Sequence, residues 1–423
     1  MVDYRPRIID SILERKLRSK GAILIEGPKW CGKTTTAEQA SMSKIAIDEP
    51  SKVENNLLMA EISPERILDG ETPRLIDEWQ IAPKLWDAIR HRVDHVKGYG
   101  QFILTGSSVP ADLSAAIHSG TGRFAWIRMR PMSLFESGDS TGEVSLRDLF
   151  DSKDVSGESD MTIEDLAFVT CRGGWPETVE MDPDVALDPA IDYLEGVMRR
   201  DISRVDGVPK AYQRVRAFMR SYARSQGQQV TFTSIASDIS SNEISRISDE
   251  TVSSYVSALK ELFVIEDLPA WNPNLRSKAA IRTADTRYFV DPSIAAASLG
   301  IGPGDLVSDT ETFGFFLETL VIRDLRVYSQ ILDGEVYRYR DSRGNECDAV
   351  IHLRNGKYAL IEVKLGGTTK ISEGVDSLGD VLKNLDTKKM GEPSFMAVIT
   401  GVGGYAYRRD DGIYVIPIGC LRD

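Results

Sequence analysis

The sequence predicts an α/β protein, because short apolar runs of strand type alternate with helical stretches at both ends of the chain. Near the N-terminus, the run AILIE leads through a glycine-rich turn into KTTTAEQAS, which has the composition of a helix. Near the C-terminus, VYRYRDSRGNECDAVIHL and KYALIEVKLG have the pattern of a strand hairpin and a further strand. Since 423 residues exceed one ordinary core, we expect about two to four domains.

The composition excludes several classes of protein. A net charge of −13 and a pI near 5.0 argue against a protein that coats nucleic acid by charge alone. No apolar run reaches the roughly 18 residues that a membrane span requires, and the N-terminal stretch is charged throughout, so we expect a cytoplasmic protein. The four cysteines lie far apart without a C-x-x-C pair, which argues against zinc and against a disulfide framework.

The turn GPKWCGKTTT fits the pattern G-x-x-x-x-G-K-[ST]. Glycines let backbone N–H groups approach a triphosphate, and the helix that follows points its positive end at the anion. Lys33 would reach the β- and γ-phosphates of ATP, and the Thr34 hydroxyl would bind Mg²⁺. We therefore predict that the following residues contact the nucleotide: Gly27, Pro28, Lys29, Trp30, Cys31, Gly32, Lys33, Thr34 and Thr35.

Two further strand-like runs end in polar residues that suit phosphoryl chemistry. In PRLIDEWQ, we expect Asp77 to bind the magnesium shell through water and Glu78 to polarise the attacking water. In GQFILTGSS, Thr105 or Ser107 would sense the γ-phosphate or orient that water, although a plain turn fits these hydroxyls equally well. In GTGRFAWIRMRPMSLFE, Arg123 would complete the charge cage in its own or a neighbouring chain, or it is a surface arginine.

The order of these stretches resembles the AAA+ class of P-loop ATPases. GRFAWIRMRPMSLFE, CRGGWPE and VMRRDISRV are similar to one prokaryotic family of largely uncharacterised ATP-binding proteins, over nearly the whole chain. That family carries a C-terminal domain resembling restriction endonucleases, so the resemblance implies such a domain here. AAA+ relatives often form rings, which makes a homo-oligomer an expectation as well.

On this basis we expect an AAA+ P-loop core over residues 1–165 and a helical linker or lid with the GGWPE turn over 166–211. We then expect a winged helix-like domain over residues 212–295. A restriction-endonuclease-like α/β domain is expected over residues 296–423. Within the first of these, residues 137–161 are rich in Ser, Gly and acidic residues, which predicts a loose surface excursion.

The middle of the chain reverses the overall charge. Residues 198–225 contain eight basic residues against Asp201 and Asp206. The helical repeat in YQRVRAFMRSYARS puts an apolar face opposite arginines, so it indicates either a solvated amphipathic helix or a stripe that follows nucleic-acid phosphates. The basic residues are Arg199, Arg200, Arg204, Lys210, Arg214, Arg216, Arg220 and Arg224.

The next segment has the outline of a winged helix-turn-helix. Its second helix, capped by Ser248 or Asp249, has a core face of Val252, Tyr255, Val256 and Leu259. Only one basic residue, Lys260, lies on that helix, so we favour a scaffold or protein-contact role over reading of DNA bases.

Three acids and a lysine near the C-terminus form a second set. Phosphodiester cleavage needs carboxylates to hold Mg²⁺ and a cation to stabilise developing charge. Asp348 and Glu362 would hold the metal, and Lys364 shares a strand face with Glu362. These three resemble the PD-(D/E)-x-K signature without its proline, and Glu318 matches the acid that related nucleases place on the preceding helix.

Two functions remain open from the sequence. One is a magnesium-dependent ATPase whose nucleotide state controls a nuclease acting on DNA or RNA, held by the basic 198–225 stretch and the C-terminal domain. The other is an ATP-driven switch or scaffold in which the nuclease-like domain only binds a partner. The acid–lysine set favours the first, and the acidic charge of the chain favours the second.

Overall fold

The computed structural model describes residues 4–106, 120–205, 207–242, 247–273 and 285–423. The chain divides into two compact units, and the four expected domains stay a prediction. The first unit comprises Met1–Arg130, Asp201–Pro209 and Ala258–Phe263, and the second comprises Pro131–Arg200, Lys210–Ser257 and Val264–Asp423. Residues 131–165, which we expected in the ATPase core, therefore belong to the second unit.

Alternating helices and strands build the first unit. The elements are α1 (Ile8–Leu17), β1 (Ala22–Glu26), α2 (Lys33–Gln39), β2 (Ser43–Ala46), α3 (Val53–Ile62), α4 (Glu65–Leu68), β3 (Arg74–Asp77), α5 (Leu85–His95), β4 (Phe102–Gly106) and β5 (Phe124–Arg128). The five strands are all parallel, in the order β2-β3-β4-β1-β5. Strands β1 and β4 begin with three or four buried apolar residues, as expected for a parallel sheet with both faces covered.

The strand order positions the polar ends of three strands. Because β4 lies between β1 and β3, Thr105 is level with Ile25 on one side and with Asp77 on the other. The carboxyl ends of parallel strands meet at one edge of the sheet. The P-loop, Asp77 and Thr105 are therefore neighbours, as the sequence predicts. Ser107, the alternative to Thr105, lies outside the described residues.

The chain between the two sheets is mainly helical. The elements are α6 (Leu134–Ser137), β6 (Val144–Ser145), α7 (Leu146–Phe150), β7 (Gly157–Glu158), α8 (Ile163–Arg172), α9 (Asp188–Gly196), α10 (Ile202–Arg204), α11 (Tyr212–Arg224), α12 (Phe232–Asn242), α13 (Asp249–Glu261), α14 (Pro292–Leu299) and α15 (Pro303–Ser308). The predicted apolar face of α11 is confirmed, since Val215, Phe218, Met219 and Tyr222 are all fully buried. None of the helices among the described residues is long and apolar enough to cross a membrane.

The segment expected to be winged contains the two predicted helices, α12 and α13. The Thr251 amide donates to Ser248 Oγ, so Ser248 caps α13, and Val252 and Leu259 on its predicted core face are fully buried. The apolar stretch after α13 pairs through antiparallel bridges at Ile265–Phe289 and Leu268–Thr286. The winged-helix assignment stays a prediction.

A mixed sheet dominates the C-terminal part. The elements are α16 (Thr310–Ile331), β8 (Gly334–Arg340), β9 (Glu346–Leu353), β10 (Tyr358–Lys364), α17 (Thr368–Asn384), α18 (Thr387–Met390), β11 (Phe395–Thr400), β12 (Tyr405–Arg408), β13 (Tyr414–Pro417) and β14 (Leu421–Arg422). Among the described residues the strand order is β7-β12-β13-β11-β10-β9-β8, with β10, β11 and β13 mutually parallel. The predicted helix, hairpin and strand around the acid–lysine set are confirmed.

The expectation of a loose excursion over residues 137–161 is wrong. Here β6 pairs with β14 and β7 pairs with β12, while Leu146, Leu149 and Phe150 are buried. Ser145 caps α7 by accepting a hydrogen bond from the Asp148 amide. The polar composition misleads because Ser and Gly serve as caps and turns around a few well-spaced apolar residues.

The GGWPE turn is packed, as predicted, and a buried ion network holds it. The Gly174 amide donates to Asp291, and the Trp175 indole donates to Ser293. Arg323 lies between Asp291 and Asp324, at 2.9 and 2.8 Å, and all three side chains are buried. Sequence reasoning missed this network because Asp291 and Arg323 lie 32 residues apart and meet only in the folded chain.

Replacing Arg323 by methionine is expected to lower the free energy of unfolding of this part of the chain by about 3–5 kcal/mol, because two buried carboxylates lose their counter-charge. Chemical denaturation followed by circular dichroism measures the change. Arg409→Met is the matched control, since the Arg409–Asp411 pair is partly exposed and such pairs contribute about 1 kcal/mol or less. Equal losses in the two variants would contradict the role of the network.

Candidate functional site

The P-loop closes around its own lysine. The Lys33 ammonium donates to the carbonyl oxygens of Gly27 and Pro28 at 2.9 and 2.6 Å, and its side chain is buried. Gly32 has a φ of 97°, in the left-handed region that favours glycine. A side chain at Gly27 would meet Met129 O at 2.1 Å. Phosphate oxygens entering the loop would offer Lys33 charged acceptors in place of these neutral carbonyls.

The Asp77 carboxylate contacts polar side chains from α2 and from both neighbouring strands. The hydroxyls of Thr34 and Thr105 donate to the same oxygen, Asp77 Oδ1, at 2.9 and 2.6 Å. Lys44 on β2 lies 3.4 Å from the other oxygen, Oδ2. A hydroxyl and a carboxylate this close are the oxygen ligands that Mg²⁺ prefers, and phosphates and water complete its shell in such sites. The donor set at the P-loop therefore fits magnesium.

Glu78 takes an unusual backbone conformation directly after β3. Its φ is 53°, in a region uncommon for residues other than glycine, which re-aims its carboxylate at the end of the strand. Gln80 donates a short hydrogen bond to one Glu78 oxygen. Burial raises the pKa of Glu78, while the Gln80 contact partly offsets that rise. These features suit a carboxylate that accepts a proton from water.

Two residues remote in sequence from the P-loop, Arg7 and Asp201, contact it or the chain beside it. Arg7, which is buried, donates to Cys31 O at 2.8 Å and to Arg130 O at 2.9 Å. Lys29 in the loop pairs with Asp201 at 2.7 Å. The role of Arg7 could not be predicted from the sequence, because Cys31 and Arg130 are remote from it along the chain.

Arg123 does not reach the P-loop of its own chain. Its carbonyl accepts from the Ala22 amide at the start of β1, whereas the P-loop follows the end of that strand, about 13 Å away. Its guanidinium pairs with Asp94 at 2.7 Å. Of the expectations for Arg123, a role at its own γ-phosphate is therefore wrong, because the residue lies at the amino end of a parallel strand.

Arg128, unlike Arg123, lies at the carboxyl end of its strand. It is level with Glu26 at the carboxyl end of β5, 3.9 Å from that carboxylate, and it lies over the Phe263 ring at 4.2 Å. Counting four residues along the strand from Phe124 would have found it, since polar groups at the carboxyl ends of parallel strands face the ligand site.

The C-terminal acid–lysine set converges as predicted. Lys364 Nζ lies 2.6 Å from Glu362 and 3.8 Å from Asp348. Ser377 of α17 donates to Glu362, and the Val363 amide donates to Asp348. Burial, with the charge of Asp348, raises the pKa of Glu362 to about 8. Burial alone would lower the pKa of Lys364, but the two carboxylates outweigh it and raise that pKa. The two carboxylates therefore favour the charged form of the Lys364 ammonium.

Glu318 is held by partners that the sequence did not indicate. Arg338 lies 2.8 Å from Glu318 and 3.7 Å from Asp348, and the Tyr288 hydroxyl also donates to Glu318. Burial, with the charge of Asp348, raises the pKa of Glu318 to about 7. No group of three His, Cys, Asp or Glu side chains in the described part of the chain is arranged to hold a metal ion. The donor set here does not fit a pre-formed metal centre.

Three segments of the chain match family models. Residues 19–137 match a model described as an AAA domain. This AAA-matching segment contains the five parallel strands of the first sheet. Residues 163–305 and 313–421 match models described as domains of unknown function, DUF8612 and DUF4143. The P-loop, Asp77, Glu78 and Thr105 thus lie in the AAA-matching segment, while the acid–lysine set lies in a segment that matches a model of unknown function.

Whole-chain relatives are distant. Uncharacterised proteins of Mycobacterium tuberculosis and Mycobacterium bovis are each 22% identical over 370 residues, which cover 86% of this chain and 75% of theirs. A solved structure, a Walker-type ATPase of Pyrococcus abyssi, is 14% identical with a TM-score of 0.43 over 70% of this chain and 99% of that chain. The names of the two mycobacterial proteins state no activity.

Ion pairs neutralise part of the basic stretch over residues 198–225, which lies outside the AAA-matching segment. Arg199 pairs with Glu195 and Arg224 pairs with Asp238, at 2.7 and 2.6 Å. Others are exposed, namely Arg200, Arg204, Arg214 and Arg216. Asp206 lies outside the described residues. The solvated amphipathic helix expected from the sequence accounts for this arrangement, and a phosphate-binding role stays a prediction.

Proposed function

We propose that this protein binds ATP with Mg²⁺, hydrolyses it, and uses the nucleotide state to control its C-terminal domain. The observation that carries the proposal is the meeting of Thr34 and Thr105 on one oxygen of Asp77, beside a lysine enclosed by the P-loop. A structural turn has no need for this arrangement, whereas a triphosphate and its metal require each part of it.

Each residue has a distinct task in this proposal. Lys33 and the loop amides orient the phosphates, and Thr34 and Asp77 would hold Mg²⁺, which would supply positive charge next to the phosphates. Glu78 positions the attacking water and accepts its proton. Thr105, through its bond to Asp77, links the end of β4 to the nucleotide. Arg128 lies at the same sheet edge, where a cation would stabilise the γ-phosphate.

A second activity, phosphodiester cleavage by the C-terminal domain, is supported by the approach of Lys364 to both Glu362 and Asp348. The alternative is a domain that binds a partner without cleaving. The ion pairs of Arg338 with Glu318 and Asp348 favour that alternative, because these carboxylates must leave a cation before they bind a metal.

Plasmid degradation with magnesium or manganese distinguishes the two roles. If the domain is a nuclease, the full chain nicks or degrades plasmid DNA, and Asp348→Ala and Lys364→Ala each lower the rate about a hundredfold or more, as expected for loss of charge stabilisation. Lys383→Ala is the matched control, since Lys383 is an exposed lysine in the last turn of α17. Absence of cleavage by the unmodified chain without nucleotide, with ADP and with ATP would favour the switch or scaffold.

The resemblance to AAA+ proteins also suggests a homo-oligomer. Because Arg123 lies far from the P-loop of its own chain, it would contribute to hydrolysis only at a nucleotide bound by another copy. A structure with Mg²⁺ and ATP, showing how many chains surround one nucleotide, tests this part of the proposal.

A further inference from the structure

The acid–lysine set belongs to two rows of side chains that cross the C-terminal sheet. Residues directly opposite each other on neighbouring strands point to the same face. One row contains Lys364, Thr400 and Pro417. The next row runs from Glu362 through Val398 and Val415 to Tyr407 on β12. Tyr407 therefore lies on the same face of the sheet as Glu362.

Two tyrosines on this face are open to solvent. Tyr405 and Tyr407 alternate along β12 with the buried Ala406, so they share the face of Glu362, and they are 66% and 45% exposed. Helix α17 packs on β9, β10 and β11, away from β12. Three strand spacings of about 4.8 Å place Tyr407 about 14 Å from Glu362. A short oligonucleotide spans that distance.

Two features close to Lys364 offer donors to an anion. The 17-residue helix α17 begins at Thr368, and its cap residue Gly367 provides no side-chain hydrogen bond to its first amides. Thr400 Oγ has no hydrogen-bond partner among the described residues although the side chain is only 1% exposed. A Cβ on Gly403 would lie 3.4 Å from that hydroxyl, so it points at the loop that leads to Tyr405.

We propose that this face binds single-stranded nucleic acid. Bases stack on Tyr405 and Tyr407, and a phosphate contacts Thr400 and the start of α17 next to Lys364. Single strands fit best because paired bases hide the ring faces that an aromatic side chain stacks against. Stacking also suits the C-terminal part of the chain, where residues 301–423 contain 15 Lys and Arg against 19 Asp and Glu and so offer little net charge to attract a duplex. The inference deepens the proposed cleavage role by naming its substrate class.

Fluorescence anisotropy with the full-length protein and a labelled twelve-nucleotide oligo-dT tests the inference. Tyr405→Ala and Tyr407→Ala are each expected to raise Kd about tenfold, the loss typical of one base stack. Tyr99→Ala is the matched control, since Tyr99 is a 69% exposed tyrosine in the ATPase domain. Thr400→Val, which keeps the shape and removes the hydroxyl, is expected to raise Kd about fivefold. An oligo-U of equal length shows whether RNA binds as DNA does.

Three results would overturn the inference: no binding of either oligonucleotide, equal or tighter binding of a duplex, or unchanged Kd in both tyrosine variants. Each is separable from failure of the proposed cleavage. The unmodified chain could degrade plasmid while both tyrosine variants bind the oligonucleotide unchanged. That result would contradict the proposed binding face and support the proposed nuclease. Tyrosine-dependent binding without any cleavage supports the face and assigns the domain to binding alone.

Discussion

Replacing Lys33 by alanine is expected to abolish measurable ATP binding. In the folded chain this ammonium is enclosed by two P-loop carbonyls and would exchange both for phosphate oxygens. Hydrogen bonds to charged groups contribute about 1.5–3 kcal/mol each, so the loss of two corresponds to a rise in Kd of about 10² to 10⁴. Isothermal titration calorimetry with ATP and ADP, in the presence of Mg²⁺, measures the change.

Lys52→Ala is a suitable control, because Lys52 is an exposed lysine of the same unit and pairs only with Glu49 in the structure. It is expected to bind ATP like the unmodified chain. If the folded Lys33→Ala variant binds ATP normally, the lysine does not contact phosphate. If the unmodified folded chain ignores both ATP and ADP, the whole proposal for the ATPase domain fails.

Changing Glu78 to glutamine is expected to separate binding from turnover. The amide keeps the shape of the carboxylate and can still accept from Gln80, so nucleotide affinity should stay within about twofold. It cannot take a proton from water, and loss of a general base lowers the rate about 10² to 10⁴. Steady-state phosphate release and calorimetry on the same preparation check the two parts.

Glu71→Gln provides the comparison for this second variant, since Glu71 is an exposed acid shortly before β3. Its phosphate release should equal that of the unmodified chain. Normal turnover by Glu78→Gln would show that another group activates the water. The hydroxyl of Thr105, at the neighbouring strand end, would then be the next candidate.

The sequence predicted local features well because their causes are local. The P-loop, the buried strand before it and the helix after it depend on a few adjacent residues, and the alternation in β10 was enough to place Glu362 and Lys364 on one face. The same logic gave the apolar face of α11, because a helical repeat needs only its own residues.

Contacts between residues far apart in sequence could not be predicted from the sequence alone. Arg338 next to Glu318, and Arg323 between two carboxylates, depend on which elements pack together. Arg123 was misplaced because its distance from the P-loop depends on strand direction, which a motif does not encode. The two-unit division was also unpredictable, since the pairing of β14 with β6 joins segments almost 280 residues apart.

The contacts of Arg7 have a practical consequence for anyone who prepares this protein. A guanidinium from ahead of α1 holds the backbone of the phosphate loop, so a shortened version without Arg7 would lose two hydrogen bonds that keep this loop in place. Weak nucleotide affinity in such a version would reflect the missing arginine rather than the residues that meet the nucleotide.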